Sequence, residues 1–194
     1  MITEEQLAGW VGPSSSTEQE KQERTERMVG DAIKNHEAFQ GTSYSVYAKG
    51  SYANNTNVRS DSDVDIVVEC QEVRYWKEHD SAAGGHPPEP VYAGDWTPNQ
   101  LRAEVEAALK GKFEPSTVSK GSAAFTVRSS SARVDADVVP CFTFRYYFEN
   151  GTYREGTKLF KSEPSLISCR FLSGERIRLC PRNTQMRFVS ERFV

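Results

Sequence analysis

The sequence predicts an α+β domain built on a mixed β-sheet with helices along one side. An amphipathic helical pattern over residues 17–39 and a second over residues 97–109 are separated and followed by short β-branched segments, so helices and strands interleave. A length of 194 residues is comfortable for one such domain and marginal for two.

In chain order, residues 3–10 open with the capping-box spacing Thr3-x-x-Gln6 and predict a short helix, which Gly12-Pro13 and three serines then break. Residues 17–39 are rich in Glu, Gln, Lys and Arg. Their apolar positions Met28, Val29, Ala32, Ile33 and Phe39 predict a helix that is polar in its first half and ends at Gly41. In residues 43–49, Tyr44, Val46 and Ala48 alternate with polar neighbours, the pattern of a first strand. It delivers the chain to Gly50-Ser51, where a turn or short helix is expected, and residues 63–69 form the second strand.

Between Arg74 and Trp96, Gly84-Gly85, Pro87-Pro88 and Pro90 predict a long loop. Its aromatics Tyr75, Trp76, Tyr92 and Trp96 either fasten the loop to the body or stack on a base, and fastening is the commoner fate. Residues 97–109 have Pro98 in the first turn, with Leu101, Val105, Ala108 and Leu109 on one side. Strands are expected near residues 117–119, 123–127 and 132–139, and the aromatic stretch 142–148 extends the sheet. From Lys161 onward, Pro164 and Pro181 interrupt a segment with no sustained helical periodicity.

Composition narrows the function classes. Hydrophobic content of 37% and charged content of 26% describe an ordinary water-soluble domain, with no apolar run near the length of a membrane span and no signal-peptide pattern at the N-terminus. The expectation is a cytoplasmic protein that does not engage a membrane. A net charge of −3 argues against bulk nucleic-acid binding, and no sequence-specific DNA binding is expected. The charge is uneven: from Arg170 to Val194 six Arg against two Glu leave +4, so the rest carries −7. A solvated basic end is the commoner meaning of such a tail, and contact with polyphosphate or RNA is the other. Cys70, Cys141, Cys169 and Cys180 show neither C-x-x-C nor disulfide-framework spacing, so buried free thiols are expected. His36, His79 and His86 have no zinc-ligand spacing, and a catalytic histidine is not expected.

The chemistry concentrates around residues 49–68. Gly50-Ser51 offers backbone amides and a hydroxyl to an anion such as a phosphate. About a dozen residues later come Asp63 and Asp65, which alternate on a strand and so aim two carboxylates at one point. Like charges held that close repel unless a cation lies between them, and hard oxygen ligands suit Mg²⁺, with Mn²⁺ as a substitute. Two-metal phosphoryl chemistry needs about three carboxylates. Asp137, directly before Val138-Val139-Pro140 on a later apolar strand, is the choice for the third; Asp135 has the same facing and competes. Lys49 and Arg59 lie close enough in sequence to touch phosphate, although surface pairing is the usual fate of such residues. Asp61-x-Asp63-x-Asp65 with Glu72 copies part of a calcium loop. Its sixth position is Ile66 where glycine is required, and it runs into a strand, which argues against calcium.

Gly-Ser, then Thr56-x-x-Arg59, Ser62-Asp63-Val64-Asp65 and Asp137-Val138-Val139-Pro140, resemble the nucleotidyltransferase superfamily with a polymerase-β-like core. Within it the chain is most similar to bacterial cGAS/DncV-like nucleotidyltransferases, and the run Tyr153–Phe160 resembles a segment that follows the third carboxylate there. The likeness covers roughly residues 43–160. It implies a catalytic core over residues 1–160 and an incomplete or divergent segment over 161–194, with most of the family's C-terminal helical lobe absent. It further implies nucleoside triphosphate substrates, catalytic and metal-binding roles for Asp63, Asp65 and Asp137, nucleotide binding at Gly50 and Ser51, and Mg²⁺. The implied product is a cyclic di- or oligonucleotide signal in anti-phage defence, with room for a regulatory protein partner. The alternatives are transfer to RNA or a protein hydroxyl, and a catalytically silent nucleotide-binding module.

Overall fold

A computed structural model of the chain describes residues 16–49, 63–78, 96–162, 167–171, 176–179 and 187–188. The described elements are α1 (Ser16–Lys34), β1 (Tyr44–Lys49), β2 (Val64–Glu78), α2 (Pro98–Lys112), β3 (Val118–Lys120), β4 (Phe125–Val127), β5 (Ala136–Tyr147), β6 (Tyr153–Leu159), β7 (Ile167–Phe171), β8 (Arg176–Leu179) and β9 (Arg187–Phe188). Hydrogen bonding orders the strands β1-β2-β5-β6-β7-β8-β9, with β4 on β5 and β3 on β4. No helix among the described residues is long and apolar enough to cross a membrane. Contacts divide the chain into one unit of Met1–Gly41, Val46–Val68 and Glu104–Val139, and a second of Thr42–Ser45, Glu69–Ala103 and Pro140–Val194.

In the first unit the core is made by period-two strands meeting period-3.6 helices. Val64, Ile66 and Val68 of β2, Phe125 and Val127 of β4, and Ala136 and Val138 of β5 are wholly buried, as are Val29 and Ile33 of α1 and Val105 and Leu109 of α2. Antiparallel register sets Phe125 against Val138 and Val127 against Ala136, so these strands turn one continuous apolar face to the core. Each Val, Ile, Leu or Phe among them contributes about 1.5–3 kcal/mol on burial. Two polar residues, Gln22 and Thr25, also lie on the buried face of α1. Thr25 is accommodated because its hydroxyl donates to the Lys21 carbonyl at 2.7 Å and accepts the Val134 amide at 3.1 Å. Past α1, His36 Nε2 meets Glu104 Oε2 of α2 at 2.7 Å. Gly41, with φ of 75°, takes the left-handed turn that ends this helical stretch.

In the second unit β5 and β6 form a hairpin from Cys141↔Leu159 to Tyr147↔Tyr153. Gly151 (φ 77°) turns it, with the Phe148 amide donating to the Thr152 carbonyl at 2.8 Å. Tyr75, Phe142 and Phe160 pack as an aromatic trio, with ring centroids 5.0–5.9 Å apart, and the Lys158 ammonium lies 4.6 Å from the Tyr75 ring centre. Arg145, nearly buried, is satisfied by Glu155 at 2.8 Å and stacks on Tyr153 at 4.1 Å. Antiparallel β7, β8 and β9 continue the sheet from β6. Thr97 and Gln100 form a capping box at the head of α2: the Thr97 amide donates to Gln100 Oε1 at 3.0 Å and the Gln100 amide to Thr97 Oγ1 at 3.3 Å.

The structure corrects two expectations. Residues 74–78 belong to β2 and are not loop, because Tyr75 is claimed by the Phe142–Phe160 cluster. The segments 132–139 and 142–148 are largely one strand, β5, and Pro140 lies inside it. The proline is tolerated where pairing with β4 has stopped at Val138 and pairing with β6 begins at Cys141. The Thr3-x-x-Gln6 helix lies outside the described residues.

Candidate active site

Asp63 is exposed and immediately precedes β2, Asp65 is half-buried as the second residue of β2, and Asp137 is half-buried as the second residue of β5. The relation between the strands fixes how these carboxylates stand. The Val64 amide donates to the Asp135 carbonyl at 3.0 Å, and further along both strands Thr143 Oγ1 donates to Glu69 Oε1 at 2.7 Å. Start meets start and later residues meet later ones, so β2 and β5 run in the same direction, whereas β4 and β6 are antiparallel to β5. The sheet is therefore mixed, as expected.

In a parallel pair, an amide that bonds one residue's carbonyl stands opposite the next residue on that strand. Val64 thus faces Ala136, and Asp65 faces Asp137 one strand spacing away, about 4.8 Å. Because Val64, Ile66, Ala136 and Val138 point into the core, Asp63, Asp65 and Asp137 belong to the opposite face. Among the described residues, no group of three or more His, Cys, Asp or Glu side chains is already gathered closely enough to hold a metal ion. The donor set is nonetheless chemically suited to a hard divalent cation: carboxylates alone, two of them in register on neighbouring strands.

Asp135 is engaged elsewhere. Its Oδ1 accepts the Ser129 amide, and its Oδ2 faces Arg128 Nη1 at 3.3 Å. Hydrogen bonding from Ser129 is the largest influence and holds its carboxyl below the usual range against the opposing effect of burial, with a lesser contribution from the Arg128 guanidinium. Around it, Ser130 and Arg133 form an isolated bridge, Arg133 Nε donates to the Arg128 carbonyl at 2.8 Å, and the Arg133 guanidinium stacks on Phe113 at 5.0 Å. Asp135 thus fastens the approach to β5. This favours Asp137 as the partner of Asp65.

Gly50, Ser51, Thr56, Arg59 and Ser62 lie outside the described residues, as do Tyr92, His79 and His86. Lys49 ends β1, where the neighbouring Ala48 amide is held by Glu26 Oε1 of α1 at 3.1 Å. Of the aromatics considered for base stacking, Tyr75 is a fastening residue and Trp76 is exposed. Cys70 and Cys141 are buried free thiols, and burial pushes the Cys70 thiol up. One residue went unrecognised in the sequence: Thr126 stands opposite Asp137 in the β4–β5 register, and its hydroxyl donates to Asp137 Oδ1 at 2.7 Å. The signal was present, since Thr126 is the polar member of the alternating triplet Phe125-Thr126-Val127.

No protein-family model matches the chain. It is 38% identical over 167 residues to a cyclic dipyrimidine nucleotide synthase, CdnE, of Cecembia lonarensis, covering 84% of this chain and 55% of that protein. A CdnE of the same description from Legionella pneumophila is 40% identical over 147 residues, covering 75% of this chain and 50% of the relative. The solved structure of the Rhodothermus marinus CdnE c-UMP-AMP synthase with Apcpp and Upnpp superposes with a TM-score of 0.71 at 25% identity, covering 89% of this chain and 57% of that one. The chain belongs to the bacterial cGAS/DncV-like nucleotidyltransferases. It spans about half the length of the curated relatives it matches. The α+β class and mixed sheet read from the sequence are those of this nucleotidyltransferase family.

Proposed function

We propose that this chain carries the catalytic half of a metal-dependent nucleotidyltransferase that joins ribonucleoside triphosphates into a cyclic di- or oligonucleotide signal and releases pyrophosphate. The observation that carries this reading is the register that sets Asp65 beside Asp137 on the face of the strands turned away from the core. The kinship with synthases of cyclic dinucleotides supports it.

Asp63, Asp65 and Asp137 would hold Mg²⁺ or Mn²⁺. Such ions, when bound, neutralise charge on the transferring phosphoryl group and acidify the attacking ribose hydroxyl. The protein's own contribution is to present three carboxylates from two strands and, at Gly50-Ser51, backbone amides and a hydroxyl for the polyphosphate. Alignment and charge stabilisation carry most of this kind of catalysis, so no histidine base is called for. An anti-phage role, a cytoplasmic setting and a regulatory protein partner extend the same proposal.

The test is incubation of the purified chain with Mg²⁺ and all four α-³²P-labelled ribonucleoside triphosphates, beside an Asp63→Ala/Asp65→Ala variant. A phosphatase-resistant small product made only by the wild type is the expected result, and its bases identify the signal. Label appearing in RNA or protein would redirect the reading to another acceptor. Triphosphate binding with no product would make this chain a silent module.

A further inference from the structure

Thr126 lies on β4, directly across the antiparallel ladder from Asp137, and both side chains are half-buried. Its hydroxyl donates to Asp137 Oδ1 at 2.7 Å, a charge-assisted bond between residues on adjacent strands. Both ends of this bond are rigidly placed. Phe125 and Val127, the neighbours of Thr126, are wholly buried, and so are Ala136 and Val138 on either side of Asp137. A carboxylate has one torsion that sets which oxygen points where, and a donor fixed on the neighbouring strand selects one setting and occupies one oxygen.

We propose that Thr126 is the positioning residue of the third carboxylate: it holds Asp137 in one orientation and leaves Oδ2 as the oxygen offered beside Asp65. The inference rests on the metal-binding role of Asp137 proposed above. Partners that hydrogen-bond a metal ligand from behind typically matter by about 10–100-fold in metal affinity.

The experiment measures Mn²⁺ binding to the full chain by electron paramagnetic resonance of free Mn²⁺, with thermal melting recorded on the same samples. The variants are Thr126→Val, Thr126→Ser and Asp137→Ala. Valine keeps the β-branched shape that the strand favours and removes only the donor. Thr126→Val is expected to weaken Mn²⁺ binding about 10–100-fold with little change in melting temperature. Thr126→Ser, which restores the hydroxyl, is expected to bind within about threefold of the wild type, a small fraction of that effect. If Asp137→Ala loses binding while Thr126→Val binds as the wild type does, the positioning role is wrong and the metal site stands. If Thr126→Val and Thr126→Ser weaken binding equally and both melt early, Thr126 serves only the fold, and the inference is overturned. A wild type that binds no Mn²⁺, or an Asp137→Ala variant that binds as tightly as the wild type, overturns the metal reading beneath it.

Discussion

Replacing Thr25 by valine isolates what one buried hydroxyl does for the strand that carries Asp137. Thr25 is wholly buried in α1, and valine shares its β-branched shape, so the change is chiefly loss of the hydroxyl. Two hydrogen bonds go. The one to the Lys21 carbonyl costs little, because the helix supplies that oxygen with an amide one turn on. The bond from the Val134 amide matters more, since nothing else among the described contacts replaces its acceptor. A buried donor left unmet costs about 1–3 kcal/mol. Val134 is half-buried, and valine's extra apolar surface returns a fraction of a kcal/mol, which places the expected loss at about 1–2 kcal/mol. For a chain of this size that lowers the melting temperature by about 2–8 °C. Thermal melts followed by circular dichroism give the shift, and hydrogen exchange locates it. The Val134 amide is expected to lose protection in Thr25→Val and keep it in Thr25→Ser. Unchanged melting together with unchanged exchange at Val134 would refute the idea that α1 anchors the entry to β5 through this hydroxyl.

Asp135→Asn is expected to destabilise the chain at neutral pH, and the difference should close in acid. Because the folded carboxyl is held below its ordinary value, its contribution is complete above about pH 3.9 and is lost as the pH falls through the lower folded pKa. Melting temperatures of both forms across pH 2–7 check this, and a gap that persists at the acid end would show that Asp135 acts by shape and not by charge. Phe125→Ala empties a wholly buried site opposite Val138 and should cost about 3–5 kcal/mol in urea unfolding. That loss should far exceed any change in the adjacent Thr126→Val variant; equal effects would mean that the two faces of β4 are not divided between core and site.

Much of this was legible from period alone. The alternation Val64-Asp65-Ile66 and the apolar stripe of α2 gave the strand, the helix and the two acids directly, because side-chain direction follows from the backbone repeat. Thr25 was not legible: a threonine on a polar helical stretch reads as solvated until the Val134 amide is seen to meet it. The continuation of β2 past Arg74 was hidden by nearby glycines and prolines, and only the distant Phe142 and Phe160 draw Tyr75 into the sheet. Asp137 was the choice from its place before Val138-Val139-Pro140, but the alternation alone does not separate it from Asp135. Both have the same facing, and what separates them is that Ser129 and Arg128 fold back onto the first while Thr126 stands across from the second.

The same alternation that builds the core also builds the site, and this makes the two inseparable. Val64, Ile66 and Val68 are wholly buried, so Asp65 must lie on the other face; Ala136 and Val138 impose the same on Asp137. A slip of one residue in either strand would carry a carboxylate into the apolar core, at a cost of several kcal/mol for an uncompensated charge. Parallel pairing then does what a hairpin between adjacent segments would not. It brings together acids more than seventy residues apart in sequence, each the second residue of its strand, so that both stand at one end of the sheet. The carboxylate pair is therefore held in register by the burial of its apolar neighbours. Disturbing Asp65 or Asp137 should weaken metal binding with little loss of stability, whereas disturbing Val64, Ile66 or Val138, which flank them on the core face, should weaken both together.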